Sequence, residues 1–207
     1  MLKILGRAAS INVRKVLWAC DELGLACTRE DWGAGFRSTR EPEFLALNPA
    51  GLVPVIVDDG FVLRESNTIV RYLAAKHGRT DLLPTAPEPR AIVEQWMDWQ
   101  ATEFNNAWFY AFMALVRKNP AFTDAGRIAD SVTAWNAHIA LLDGQLAKTQ
   151  AHVTGPDFTV ADIPIGLAVH RWIAAPIDRP VFPAVAAYYE RLCRRPAFVT
   201  HGRDGGP

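Results

Sequence analysis

The chain has 207 residues, half of them hydrophobic and 21% charged, which fits one large or two small soluble globular domains. Its 22 Lys and Arg balance 22 Asp and Glu, so no general field draws it to nucleic acid or an anionic membrane, and no basic stripe marks a nucleic-acid binder. No stretch reaches the roughly 18 apolar residues of a membrane span, and the opening MLKILGRAAS lacks a signal-peptide layout.

In chain order, Leu2 to Leu5 reads as a short strand. Asn12 to Leu23 follows with Val13, Val16, Leu17, Cys20 and Leu23 at helical spacing, stopped by Gly24. Cys27 to Trp32 reads as a second strand, and a strand, helix, strand order this short implies a parallel pair. Glu41 to Asn48 predicts a short helix or turn. Two strands then flank Asp58, Asp59 and Gly60, a hairpin signal. From Ser66 the pattern is helical, with Ile69, Val70, Leu73 and Ala74 on one side and Gly78 as the stop. Arg79 to Arg90, with three prolines, reads as a linker.

Beyond the linker only helices are expected. One long helix spans Ala91 to Lys118, and another carries the stripe Ile128, Val132, Trp135, Ile139, Leu142, Leu146 of an antiparallel bundle. Thr159 as N-cap with Asp162 three residues on resembles a capping box, flanked by Phe158 and Ile163 as a staple. A last helix covers about Val181 to Arg194, and HGRDGGP reads as a frayed tail. Cys20, Cys27 and Cys193, odd in number and widely spaced, point to reduced thiols in the cytoplasm, not to a disulfide framework or a zinc site.

The stretch GLVPVIVDDG places Pro54 at the start of an apolar run, where a missing N–H weakens a ladder. Two readings fit: a trans proline at the first residue of a strand, or a cis Val53–Pro54 bond that turns the N–H and C=O of Val53 outward to hold an extended peptide. Glu65 and Ser66 follow across the hairpin. Ser66 as N-cap leaves free N–H groups that make an anion site, and Glu65 adds a carboxylate. Together they suit an amino-acid end carrying both a carboxylate and an ammonium, although plain capping by Ser66 and a solvated Glu65 fit the same residues.

With these residues in place, the chain resembles a bacterial theta-like member of the glutathione S-transferase family along nearly its whole length. GRAASINVRKVLW resembles the N-terminal segment, EFLALNPAGLVPVI and RESNTIVRYLA resemble the two glutathione-binding motifs, and FTVADI the capping segment of the helical domain. The resemblance implies an α/β thioredoxin-like N-terminal domain over 1–80, an all-α helical bundle domain over 87–207, a cis Pro54 and a homodimer. It further implies a glutathione site at Leu52, Val53, Pro54, Glu65 and Ser66, with Val53 on the cysteinyl backbone, Glu65 and Ser66 on the γ-glutamyl end, and Arg40 or Arg37 on the glycine carboxylate.

By the same resemblance Ser10 is the catalytic residue, donating to the glutathione sulfur, with Asn12 as the rival donor and rival cap. A cysteine thiol titrates near 8.5, so a shift of ~2 units needs roughly 2.7 kcal/mol, and one hydrogen bond to a charged group supplies roughly 1.5–3 kcal/mol. Many members of the family have an asparagine where Ala9 stands and a tryptophan where Arg64 stands, so Ser10 and Asn12 are the nearby neutral donors here and Arg64 adds a charge beside Glu65. No cysteine replaces Ser10, which leaves a thiol-transferase without its nucleophile, and the absence of C-x-x-C disfavours a thioredoxin-like redox protein.

The second substrate is expected to be a small apolar electrophile in a cleft between the domains, walled by Glu103 to Val116, with Trp108 and Phe112 as candidate contacts. Asp98 and Glu103 are expected near a dimer seam. The expected activity is glutathione transfer in detoxification, with glutathione as co-substrate and no metal. The alternatives are a non-catalytic glutathione-binding scaffold, or a dedicated glutathione-dependent dehalogenase, lyase or isomerase.

Overall fold

The computed structural model describes residues 1–206. Its first half is built on a four-stranded mixed sheet in the order β2-β1-β3-β4. Strand β1 (Leu2–Leu5) pairs in parallel with β2 (Cys27–Glu30) across α1 (Ile11–Leu23), as the short strand, helix, strand order requires. Helix α2 (Pro42–Leu47) leads into β3 (Val55–Asp58), antiparallel to β1, and β3 turns into β4 (Phe61–Arg64). Asp58 stands opposite Phe61, so Asp59 and Gly60 alone make the turn, both at positive φ (50° and 91°), the backbone that two-residue hairpins favour. Helix α3 (Ser66–Lys76) closes this half.

The helical half begins earlier than the proline count implied. Helix α4 (Pro87–Trp99) takes Pro87 into its first turn, where the missing N–H is no loss, so the segment read as a linker ends at Ala86. The expected long helix runs from Pro87 to Val116, but two five-residue stretches, Gln100–Phe104 and Phe112–Val116, are wound as π-helix on either side of α5 (Asn105–Ala111). Then come α6 (Ala125–Thr149), α7 (Asp162–Ala174), α8 (Pro183–Leu192) and α9 (Pro196–His201), followed by a tight turn at Arg203–Gly205. The stripe expected on α6 is largely inside: Trp135, Ile139, Leu142 and Leu146 are buried.

Two other expectations need correction. Helix α7 starts at Asp162, with Ala161 as its cap. Only half of the capping box is made, because Asp162 Oδ2 accepts from the Thr159 N–H at 2.9 Å. Asp162 Oδ1 accepts from the Val153 N–H (3.0 Å) and the Tyr188 hydroxyl (3.0 Å). One wholly buried carboxylate therefore ties the loop before α7 to α8. The final segment is docked, not frayed: Arg14 Nη1 donates to the carbonyls of His201 (3.2 Å) and Gly206 (2.7 Å).

Removing the carboxylate of Asp162 strands two buried backbone N–H groups, each worth about 1–3 kcal/mol. Asp162→Ala is expected to lower stability by ~3 kcal/mol or more and Tm by roughly 6–12 °C, measured by thermal unfolding followed by circular dichroism. An unchanged Tm would show that the loop does not need this anchor.

Candidate functional site

The β1–α1 loop, the α2–β3 loop and the start of α3 converge on one cleft. Gly6, just after β1, has φ +147°, and a Cβ there would stand 3.0 Å from the Val53 Cβ. That close approach brings the start of α1 against the α2–β3 loop. Buried Asn48 fixes the shape of this loop: its Nδ2 donates to the Leu52 carbonyl (2.7 Å) and its Oδ1 accepts from the Ala50 N–H (3.1 Å). Val53–Pro54 is cis. Among the described residues neither the N–H nor the C=O of Val53 has a hydrogen-bond partner, so both are free for an extended ligand.

Across the cleft Glu65 is the residue that caps α3, and Ser66 is the first residue in the helix, one place later than expected. Glu65 has φ 69° and ψ 106°. This left-handed backbone costs a residue with a side chain about 1–3 kcal/mol and is typical of sites where geometry is held for a purpose. Its carboxylate is exposed and makes no hydrogen bond among the described residues, and the first N–H groups of α3 are free behind it. Ser66 Oγ donates to Asn12 Oδ1 at 3.4 Å. Asn12, Asn48, Leu52, Val53, Pro54, Glu65 and Ser66 line the resulting cleft of about 100 Å³.

The geometry suits a linear amphoteric peptide. A main-chain donor and acceptor face it at Val53, while a carboxylate and a helix N-terminus face its amino-acid end. Three comparisons bear on what has this geometry. The family model described as "Glutathione S-transferase, N-terminal domain" matches residues 5–83. The chain is 38% identical to glutathione S-transferase GstB of Escherichia coli over 95% of both chains. It is 33% identical to glutathione S-transferase 3 of Zea mays over 95% of its own length and 91% of that protein. The chain belongs to the glutathione S-transferase family. The theta-class glutathione S-transferase from Xanthomonas axonopodis pv. citri, with glutathione bound, superposes with a TM-score of 0.89 at 40% identity, covering 97% of this chain and 96% of that one. The thioredoxin-like half and the helical half of the family fold are both present.

Other residues expected in a transferase site fall as follows. Ser10 precedes α1 with extended backbone, but its hydroxyl makes no cap bond, and it is not among the residues lining the cleft. Asn12, two residues on, does line it. Arg37 is committed elsewhere: its guanidinium pairs with Glu41 (3.1 Å) and Glu43 (2.5 Å) and lies over the Trp32 ring. Those carboxylates raise its pKa, Glu43 most. Arg40 has no ion pair among the described residues, and its Nη1 sits 2.8 Å from where a Cβ on Gly51 would be, at the edge of the cleft loop. Trp108 and Phe112 are buried in the helical core and face each other edge-on. Asp98 pairs with Arg71 of α3 at 3.0 Å. Among the described residues no group of three or more His, Cys, Asp or Glu is placed to hold a metal ion.

Two residues escaped sequence reading. Asn48 acts through backbone bonds that no periodicity reveals. Lys15, 2% exposed, sits between α1, α3 and the start of the π segment, donating to Asn67 Oδ1 (3.2 Å) and Gln100 Oε1 (3.1 Å). Burial, reinforced by Arg171 and opposed by Glu65, pushes its pKa down from 10.5 to about 7.

A lysine lowered on folding disfavours the native state most when it must be charged, below the folded pKa, and the penalty disappears as pH rises toward the unfolded value. The Lys15→Met variant is therefore expected to be most favoured relative to the parent near about pH 6–7 and to lose that advantage progressively toward about pH 10. Thermal unfolding of both proteins across this range reads it, and a difference independent of pH would refute a depressed Lys15.

Proposed function

We propose that the protein binds glutathione in this cleft and transfers its sulfur to a small apolar electrophile. The observation that carries this reading is the pairing, across one cleft, of the unpartnered main chain at Val53 with the strained Glu65 and free helix start at Ser66. Glutathione matches it in order: the cysteinyl backbone on Val53, the γ-glutamyl ammonium on Glu65, and its carboxylate on the N–H groups of α3. Leu52 and Pro54 shape the wall. Arg40, free of acids where Arg37 is not, receives the glycine carboxylate. Residues 1–80 act as the glutathione-binding domain and 87–207 as the domain carrying the second-substrate site.

For the sulfur, Asn12 is the stronger donor and Ser10 the second. The Asn12 Oδ1 accepts from Ser66, which leaves its Nδ2 as an unshared donor at the cleft wall, at the second residue of α1, whose dipole favours an anion. The thiolate then attacks the electrophile, and proximity and charge stabilisation supply the rate. Two copies associate through the groove formed by Gln95, Trp96, Trp99, Thr102, Glu103 and Leu141, and the protein works in the cytoplasm, in detoxification.

Calorimetric titration with glutathione, followed by assays on aryl and alkyl halides, tests the function. A protein that binds glutathione yet turns over none of them is a scaffold, and one that does not bind glutathione ends the proposal. Removing the sulfur donor is expected to raise the bound thiol pKa by about 1–2 units, read as lost ultraviolet thiolate absorbance at neutral pH. Asn12→Ala should show this more strongly than Ser10→Ala, and the reverse order would return the role to Ser10. Glu65→Gln is expected to weaken glutathione binding about tenfold or more through lost contact with the ammonium, and unaltered affinity would free Glu65 of that role.

A further inference from the structure

Besides Lys15, two other cations of this neutral chain lie inside it. Arg14 on α1 and Arg171 on α7 are each 3% exposed. Lys15 is satisfied by two amide oxygens, whereas Arg14 gives Nη1 to the two tail carbonyls and leaves its Nε shut off from solvent without a partner. Arg171 is further from satisfied. None of its nitrogens has a hydrogen-bond partner among the described residues, its Nε is sealed, and its guanidinium carbon lies 4.5 Å from the Trp108 ring and 4.1 Å from the Phe112 ring. Arg117, exposed, flanks the same Phe112 ring at 5.2 Å.

No acid among the described residues forms an ion pair with any of these arginines. The charges that act on Arg171 include Arg14 and Arg117, both of its own sign, and Arg117 acts on Arg14 as well. A buried charge without a counter-ion is strongly unfavourable, and stacking on two aromatic rings offsets only part of that. Among the described residues the cluster therefore has no anion paired with it. Its place is specific: the Arg14 N–H donates to the Ser10 carbonyl at 2.9 Å, so the cluster begins in the first turns of α1, the helix start that carries both proposed sulfur donors, Asn12 and Ser10. Its aromatic flank is the pair Trp108 and Phe112.

We propose that the second substrate is an electrophile that carries a carboxylate, received by Arg171 with support from Arg14 and Arg117, while Trp108 and Phe112 flank its apolar part. This rests on the transferase reading above and narrows its substrate class. In the reaction with an aryl chloride of this kind, the sulfur–carbon bond forms at the ring carbon bearing chlorine. The carbon–chlorine bond breaks, chloride leaves with the electron pair, and the thiol proton has already gone to solvent. The arginines are positioning residues for the remote carboxylate and take no part in bond exchange.

The test compares a chlorodinitrobenzoate with the matching chlorodinitrobenzamide, alike except for the charge, with each kcat/KM divided by the uncatalysed rate. The parent protein is expected to favour the carboxylate about tenfold or more, Arg171→Gln to bring that ratio to about one, and Arg171→Lys to keep part of it. Tryptophan quenching by dinitrobenzoate and dinitrobenzamide, which have no leaving group, should show the same order in binding without glutathione. Equal binding of the two analogues by the parent protein overturns the proposal, as it would if an acid of the chain itself filled the cluster. A ratio that survives in Arg171→Gln overturns it too. So does an equal fall for both substrates with loss of thiolate absorbance, which would assign the charge to sulfur. Failure of the transferase reading is separate: glutathione does not bind and the amide is not turned over, while the analogue binding still decides the anion site.

Discussion

The structure depends on α1 being buried on two sides at once. Val13, Val16 and Cys20 pack with Leu2, Ile4, Ile56, Ile69 and Leu73 over the sheet. Trp18 and Ala19 belong to the core of the helical half, where the Trp18 ring meets Phe158 and Phe198 with centroids 5.8 and 5.1 Å away. Burying each large apolar side chain contributes about 1.5–3 kcal/mol, and Glu22 links the helix to α9, accepting from the Trp18 indole within α1 (2.8 Å) and from Arg195 just before α9 (2.9 and 2.6 Å). A helix held on both faces has no freedom to shift. Its N-terminus, with Ser10 as cap and Asn12 in the first turn, is thereby set at a fixed distance from Val53 and Ser66 across the cleft.

That rigidity makes the local irregularities of the cleft sustainable. A left-handed Glu65 and a main-chain pair at Val53 without partners are both unfavourable in isolation. They persist because the neighbouring segments are over-determined: Asn48 ties the loop to the Leu52 carbonyl and the Ala50 N–H, the hairpin register fixes β4 up to Arg64, and Ile69 and Leu73 lock α3 into the sheet core. Unsatisfied groups on a rigid frame are what a ligand completes, so the same residues that weaken the free protein shape its complement.

The elements whose signals are local were legible in the sequence. The Asp59-Gly60 turn, the short strands and the helical spacing of α1, α3 and α6 each follow from neighbours a few positions apart. What failed was long-range or read by residue type. Pro87 and Pro89 signal a break when counted, but a proline in the first turn of a helix fits it. The π segments carry no distinctive residues, and α9 is too short for a period to show. The terminal HGRDGGP reads as frayed from its place in the chain, although Arg14, from the other end, holds it. In the site, the Val53 and Glu65-Ser66 motifs were legible as motifs, while Asn48, Lys15, Arg14 and Arg171 were not. A polar residue in a loop and charged residues in helices are usually solvated, and only the packing reveals that these are not.

The neutrality of the chain illustrates the same point in its charges. Equal numbers of acids and bases remove the long-range field, yet they say nothing of where each charge is spent. The ion pairs are made mostly at the surface or in half-exposed positions: Glu41 and Glu43 with Arg37, Asp81 with Arg79, Glu94 with Arg90, Asp98 with Arg71. With those acids taken, the interior behind the cleft is left with Lys15, Arg14 and Arg171, while the free carboxylate of Glu65 stands on the rim. A neutral protein has thus placed cations behind the cleft and a carboxylate on its rim, in a medium where Coulomb forces are several times stronger than in water. Any anion generated at the start of α1, whether a thiolate or a ligand carboxylate, lies on the positive side of that separation, and any ammonium at the rim lies on the negative side.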